Sequence, residues 1–281
     1  MPTNNQNILT PAGSHISNPG CKPGGPNKKS STKYNIKMKN LTITIALFIA
    51  IIVTATSCAK DRMLVKGQGP DIKITRDIKN FTGVSLCISA DVEIYQDSVF
   101  KVELNGQQNI LDVIETKVSG ENLNISLKNF TTLRTHNKIV IRVYMPSLKN
   151  LDVSGSGKII GMTDLNTTDL KANVSGSGDI NLNGVITNSL TANVSGSGNI
   201  IFYGNNSCLK ADYTVSGSGN INAEWFRVDT VNADVSGSGE MKIYAVKQLN
   251  ANISGSGRIW YRGNPSTDIK ISGSGKVSSI N

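Results

Sequence analysis

Apolar and polar positions alternate along the second half of the chain, and they do so straight through a recurring tetrapeptide. Leu170, Ala172, Val174, Gly176, Gly178, Ile180 and Leu182 share one parity. So do Leu190, Ala192, Val194, Gly196, Gly198, Ile200 and Phe202, and again Leu249, Ala251, Ile253, Gly255, Gly257, Ile259 and Tyr261. A period of two is that of a β-strand with one face turned inward. The tetrapeptide Ser-Gly-Ser-Gly begins at Ser154, Ser175, Ser195, Ser216, Ser236, Ser254 and Ser272, at steps of 21, 20, 21, 20, 18 and 18 residues. Such a run is a flexible linker in many chains, but here the flanking alternation excludes that. The glycines fall on the inward parity, where they leave room for bulk from another wall or let the strand bend, and the serines point out.

A fixed period near 20 marks a stacked array whose units bury their apolar faces against their neighbours. At about 3.3 Å per residue, 20 residues trace a path of roughly 65 Å, one coil of a β-helix, with coils about 4.8 Å apart. The expected fold is therefore all-β: a right-handed parallel β-helix, or solenoid, over residues 151–281. Propeller blades need about 40 residues or more, twice what each unit offers. The repetition predicts ladders: an apolar one inside, glycine at the bend, and two rows of serine hydroxyls outside.

Residues 71–150 use the same alphabet without the tetrapeptide. Short strands rich in β-branched residues are expected at 72–75, 83–89, 92–96, 101–105, 122–127 and 138–145. The spacing of Ile110, Val113 and Ile114 predicts a helix over 109–116. Either a separate β-rich lobe or irregular first coils that cap the solenoid would fit this stretch.

Upstream, residues 38–57 have the layout of a bacterial export signal. Lys39 supplies the basic start, Leu41 to Val53 give 13 mostly apolar residues, and Ala55-Thr56-Ser57 are small. That apolar run is short for a membrane span. The small residues lead directly into Cys58, which resembles the lipobox of lipoproteins, in which the cysteine becomes the acylated mature N-terminus. Residues 58–70 then form a tether, and residues 1–37, rich in Asn, Pro, Gly, Ser and Lys, are expected to be a disordered or spurious extension.

Charge changes the picture once it is divided. The net +9 includes six lysines and no acid within residues 1–57, leaving 23 basic against 20 acidic residues beyond. Nothing there forms the clustered basic patch that nucleic acid requires. With Cys21 and Cys58 set aside, Cys87 and Cys208 remain: a disulfide is permitted outside the cell, and two small buried side chains are the plainer expectation.

The order Phe81-Thr82-Gly83-Val84, then Asp91-Val92-Glu93-Ile94-Tyr95-Gln96, then Met145-Pro146-Ser147-Leu148-Lys149-Asn150-Leu151 running into the repeated tetrapeptides resembles the head GIN domain family of putative auto-transporter adhesins. The likeness runs from about Ile72 to Lys276. It implies an exported β-helical protein of the kind common among lipoproteins of Gram-negative bacteria, and it brings no catalytic residues.

Chemistry is sparse. A β-helix enzyme acting on polysaccharide would need carboxylates gathered in one groove or a bound calcium. After the tetrapeptides stand Lys158, Asp179, Asn199, Asn220, Glu240, Arg258 and Lys276, which is no acidic ladder. Beyond residue 57 the single histidine, His136, lies in a loop-like segment. No cofactor, metal site or enzymatic activity is expected. Binding has better footing: Tyr203, Tyr244 and Trp260 fall on the outward parity, and Tyr203 and Tyr244 lie five residues after the last glycine of their tetrapeptides. Asn183, Glu224 and Arg262 occupy matching positions. Rings flanked by polar groups suit sugar or protein recognition; tyrosine also simply favours strands. The candidate ligand-facing residues are thus Tyr203, Tyr244, Trp260 and Arg262, with Cys58 as lipid-attachment site. The expected role is a non-enzymatic envelope lipoprotein of the outer membrane, on its surface or periplasmic face, that binds a glycan or protein. The alternatives are a structural scaffold or, remotely, a polysaccharide-acting enzyme. Self-association through the solenoid ends is expected as well.

Overall fold

The computed structural model describes residues 63–204 and 206–280. The extension, the export signal and Cys58 lie outside the described residues. The chain folds as a β-solenoid of about six turns, 70% strand and 2% helix.

The first strands are β1 (Met63–Val65), β2 (Asp71–Arg76), β3 (Gly83–Leu86), β4 (Asp91–Gln96) and β5 (Lys101–Gln107). One helical turn, α1 (Gln108–Leu111), leads to β6 (Ile114–Ser119), β7 (Asn122–Leu127), β8 (Thr131–Leu133) and β9 (Val140–Met145). The helix expected over 109–116 is therefore cut short. Only Asn109, Ile110 and Leu111 stay on it, the last two buried, while Ile114 to Thr116 pair antiparallel with Leu127 to Ile125. β-branched Ile and Thr prefer that pairing to a second helical turn. Part of the stretch expected as a tether is paired too, since β1 lies parallel to β8.

The repeat region supplies β10 (Asn150–Gly155), β11 (Lys158–Gly161), β12 (Leu165–Asn166), β13 (Asp169–Gly176), β14 (Asp179–Asn183) and β15 (Val185–Gly196). Then come β16 (Asn199–Tyr203), β17 (Asn206–Gly217), β18 (Asn220–Gly237), β19 (Glu240–Gly255), β20 (Arg258–Arg262), β21 (Ser266–Gly273) and β22 (Lys276–Ser279). Each coil has three runs. The residues before the tetrapeptide stack in the order β10, β13, β15, β17, β18, β19, β21, all parallel. Those after it stack as β11, β14, β16, β18, β19, β20, β22. A third, shorter run passes through β12 and the first halves of β15, β17 and the middle of β18 and β19.

The tetrapeptides stand in register, Ser154 beside Ser175 and so on to Ser272. The first glycine of every copy has φ between 118° and 127°, and this is the bend. A side chain there is excluded twice: L-residues avoid such a φ, and a Cβ on Gly217 would sit 2.6 Å from the Gly196 carbonyl oxygen. That same carbonyl accepts the Ser218 amide at 2.9 Å. The second glycine faces the core, where a Cβ on Gly219 would meet Val194 Cγ1 at 2.4 Å. The serines are exposed, so both glycine roles and the outward serines match the alternation of the sequence.

The strands before the repeat continue the same stacks, out of chain order. β3 lies between β7 and β10, and β4 between β9 and β11, all parallel. The chain thus leaves the coil made by β3 and β4, builds the coil of β7 and β9 beneath it, and returns over it to β10. Beyond β7 and β9 come the antiparallel strands β6 and β5, with β2 outermost. Together with Ile110 and Leu111 they close this end of a core that runs unbroken from Phe81 to Ile259.

Candidate functional site

The outer surface of the third run, where β15, β17, β18 and β19 lie side by side, is where exposed large apolar side chains gather. Ile186, Leu209 and Trp225 are all exposed there, with Tyr203 at the adjoining corner. Trp225 is 61% exposed and Tyr203 51%. The feature that makes this surface is a break in alternation. Ile221 and Ala223 point inward, and then Phe226 and Val228 do, so Glu224 and Trp225 stand outward in succession. Pairing with the next coil shifts accordingly, from Asn222 opposite Lys242 to Arg227 opposite Tyr244. This is a β-bulge, a device that re-aims side chains. The coil that follows is one of the two 18-residue coils, so its shorter path leaves the extra residues of β18 without partners.

The bulge brings together two arginine–aromatic pairs. Arg262 lies over the Trp225 ring with its guanidinium carbon 4.4 Å from the centroid. It is held there by Glu224, whose Oε1 accepts from its Nη2 at 2.6 Å and its Nε at 3.0 Å, while its Nη1 donates to the Ile280 carbonyl at 3.1 Å. Arg227 lies over the Tyr244 ring at 4.9 Å and donates from Nη1 to the Tyr244 hydroxyl at 3.0 Å. Beneath them Phe226 packs edge-on against Phe202, with centroids 4.9 Å apart. An exposed ring normally loses rotamer freedom when something binds it. Here the loss is already taken by the arginines and by the buried phenylalanines, so the rings are preorganised for contact.

Next to this cluster a shallow depression is lined by Ile186, Leu209, Arg227, Asp229 and Val246. Cys208 forms part of its floor, with its thiol donating to the Lys210 carbonyl at 2.9 Å. Burial pushes that thiol up to about 11, which keeps it protonated and unreactive. Cys208 and Cys87 are both free. Cys87 is exposed, contrary to the expectation of two buried side chains, because it falls on the outward parity between the buried Leu86 and Ile88.

Of the residues singled out from sequence, Tyr244 and Arg262 face each other across β19 and β20 and belong to the cluster. Tyr203 stands at its edge, opposite Asn183. Trp260 lies on β20 between Lys242 and Ser278, partly covered. Glu224 does not pair with Tyr244, because the bulge displaces it. Trp225 and Arg227 were missed, although the run Ala-Glu-Trp-Phe-Arg-Val carries the signal: two inward phases offset by the odd step from Ala223 to Phe226.

The serine rows offer a different surface. They flank the bend rather than a flat face, so they present hydroxyls on two diverging planes. Among the described residues no group of three His, Cys, Asp or Glu could hold a metal ion, and no helix is long and apolar enough to cross a membrane.

The sequence model of the family described as "Putative auto-transporter adhesin, head GIN domain" matches residues 80–265. The chain belongs to this family. Solved structures share its fold. A putative adhesin from Bacteroides fragilis superposes with a TM-score of 0.73 at 22% identity, covering 77% of this chain and all of its own. A putative lipid binding protein from Parabacteroides distasonis gives 0.68 at 27% identity over 78% of this chain and all of its own. A putative adhesin from Parabacteroides merdae gives 0.62 at 22% identity over 78% of this chain and all of its own. A search of curated proteins finds no match. The N-terminal boundary of the head GIN match, residue 80, falls just before β3, so it takes in the coil order described above and the bulged coil, and ends beyond Arg262.

Proposed function

We propose that this head GIN domain protein is a non-enzymatic, lipid-anchored envelope protein that binds a glycan or protein through the face built around Trp225, Arg227 and Tyr244. The supporting observation is the pair of arginine-braced aromatic rings, Trp225 exposed and Tyr244 half-buried, beside a depression of mixed apolar and polar lining. Sugar rings present apolar C–H faces, and a fixed indole with neighbouring hydrogen-bond donors meets such a face at little entropic cost. The family description agrees with adhesion. Attachment through Cys58 would place this face outside the inner membrane.

Three experiments test the reading. Protease shaving of intact cells, with a periplasmic protein as control, asks about exposure: digestion with the control intact supports adhesion, and protection sinks it. A glycan and matrix-protein array probed with the protein and with Trp225→Ala asks about the face. Loss of at least tenfold in affinity for any ligand retained by the parent supports the assignment; binding untouched by the substitution refutes it. Replacement of Cys58 by Ala is expected to abolish labelling by radioactive palmitate, and persistent labelling would remove the lipid anchor from the proposal. A scaffold role without a ligand is favoured by one observation, the ladders of side chains that satisfy each other along the stack, and a blank array together with protection from shaving would support it.

A further inference from the structure

The two ends of the core differ. Strands β6, β5 and β2 and the helix close one end, whereas β21 has β19 on one side and no strand on the other among the described residues. Its inward residues are large and uncovered. In the column that holds Ala172, Ala192, Ala233 and Ala251, all fully buried, β21 places Ile269, 40% exposed. In the next column Val235 and Ile253 are 2% exposed, and Ile271 is 45% exposed. Stacked arrays that remain single end in a polar cap. This one puts a bulkier apolar residue at the rim than in the coil beneath.

We propose that β21 pairs antiparallel with β21 of a second copy, in the register that places Ile269 opposite Ile269. The argument for a copy of the same chain is charge self-complementarity. On the outward side β21 carries Asp268 and Lys270, both exposed and 3.3 Å apart within the strand. Inward residues must meet inward residues, so pairing can slip only in steps that keep the parity. Centred on Ile269, Asp268 meets Lys270 of the copy twice, and Thr267 meets Ile271. Centred on residue 268 or on residue 270, aspartate meets aspartate or lysine meets lysine. Exposed ion pairs add little affinity, but like charges directly opposite exclude the wrong registers. Affinity comes from the main-chain hydrogen bonds of the free edge and from covering the isoleucines. β22 offers no such choice: its only charge is Lys276, so a copy of itself would find no acid.

The test uses the full chain extracted in mild detergent. Sedimentation velocity is expected to show a dimer that dissociates on dilution. Lys270→Asp, which leaves two acids and no base on the strand, weakens it at least tenfold, and the exchange Asp268→Lys with Lys270→Asp restores it. Ile269→Cys is expected to form a disulfide-linked dimer under mild oxidation, since directly opposite residues come within disulfide reach, while Lys270→Cys gives no more linkage than the parent. Thermal melts of the exchange variant control for misfolding. A monomer at every concentration, a dimer indifferent to Lys270→Asp, or Ile269→Cys linked within its own chain would each overturn the proposal.

Discussion

At the level of single residues the solenoid is governed by what the bend tolerates and by what the core can hold. Alanine at Gly217 would combine an unfavourable φ with an overlap against the carbonyl below, and it is expected to cost about 3 kcal/mol from backbone strain and overpacking together. Ser218→Ala, one residue on and exposed, should change stability by less than about 0.5 kcal/mol; urea denaturation of both variants measures the difference. The core has its own irregularity. Tyr213 stands in the alanine column between Ala192 and Ala233, and the volume is recovered by Ala211 where the adjacent coils have leucine and valine. Its hydroxyl is fully buried with no hydrogen-bond partner among the described residues, and burial holds it well above the ordinary tyrosine range. Removing an unsatisfied polar group stabilises, so Tyr213→Phe is expected to gain about 1 kcal/mol, seen as a higher melting temperature; a loss instead would mean that the hydroxyl has a partner. The bend was legible in the sequence because glycine is demanded there in every copy. Tyr213 was not, because a tyrosine and an alanine trade volumes between columns, and columns exist only after the coils are stacked.

Strands are joined by side chains as well as by backbone. Asn173 donates its Nδ2 to Asp152 at 2.6 Å and accepts from Asn193 at 2.9 Å. The same order recurs in Asp179, Asn199 and Asn220, in Asp212, Asn232 and Asn250, and in Asp234 with Asn252. In each row the aspartate lies at the earliest coil and every asparagine donates backward, so the amides polarise one another along the stack. Asn232→Leu interrupts the row on both sides and is expected to cost about 1 to 3 kcal/mol, measurable by denaturant titration. These rows escaped a reading based on apolar periodicity because they lie on the outward parity, where polarity alone is unremarked. The strands towards the closed end use charge instead. Glu103 on β5 is covered by Lys101 and Lys73, the latter at 2.9 Å, and Arg142 on β9 donates its Nε to Glu93 at 2.8 Å beside the stacked rings of Tyr95 and Tyr144. Hydrogen bonds from Lys101 first and Lys73 second hold the Glu103 carboxyl below its ordinary value of 4.5. A carboxyl depressed in the folded state stabilises above its unfolded value, and that contribution is lost as the pH falls through the folded one. The melting temperature is therefore expected to fall on acidification below about 4.5 by less in Glu103→Gln than in the parent, and parallel curves would show that the pairs contribute nothing.

For the whole molecule the governing fact is that chain order and stacking order agree in the repeats and disagree before them. The coil of β3 and β4 cannot be enclosed until β7, β9, β10 and β11 exist, so its pairings span 39 residues to β7 and 67 to β10. Nothing in local sequence announces this insertion, which is why residues 71–150 could be anticipated strand by strand yet not placed. The repeats, by contrast, were legible as coils because each contacts only its neighbours. That difference sets how stability is distributed. A one-dimensional stack opens from whichever end is uncovered, and here the closed end is tied by antiparallel strands while β21 and β22 have one neighbour each among the described residues. Amide hydrogen exchange is therefore expected to be slowest through β13, β15 and β17 and fastest, within the solenoid, in β21 and β22, with protection falling coil by coil towards them. Protection in β21 but not in β13 should also rise with protein concentration if a second copy covers its edge. Uniform protection at all concentrations would instead mean that the array opens as one unit, with no preferred end.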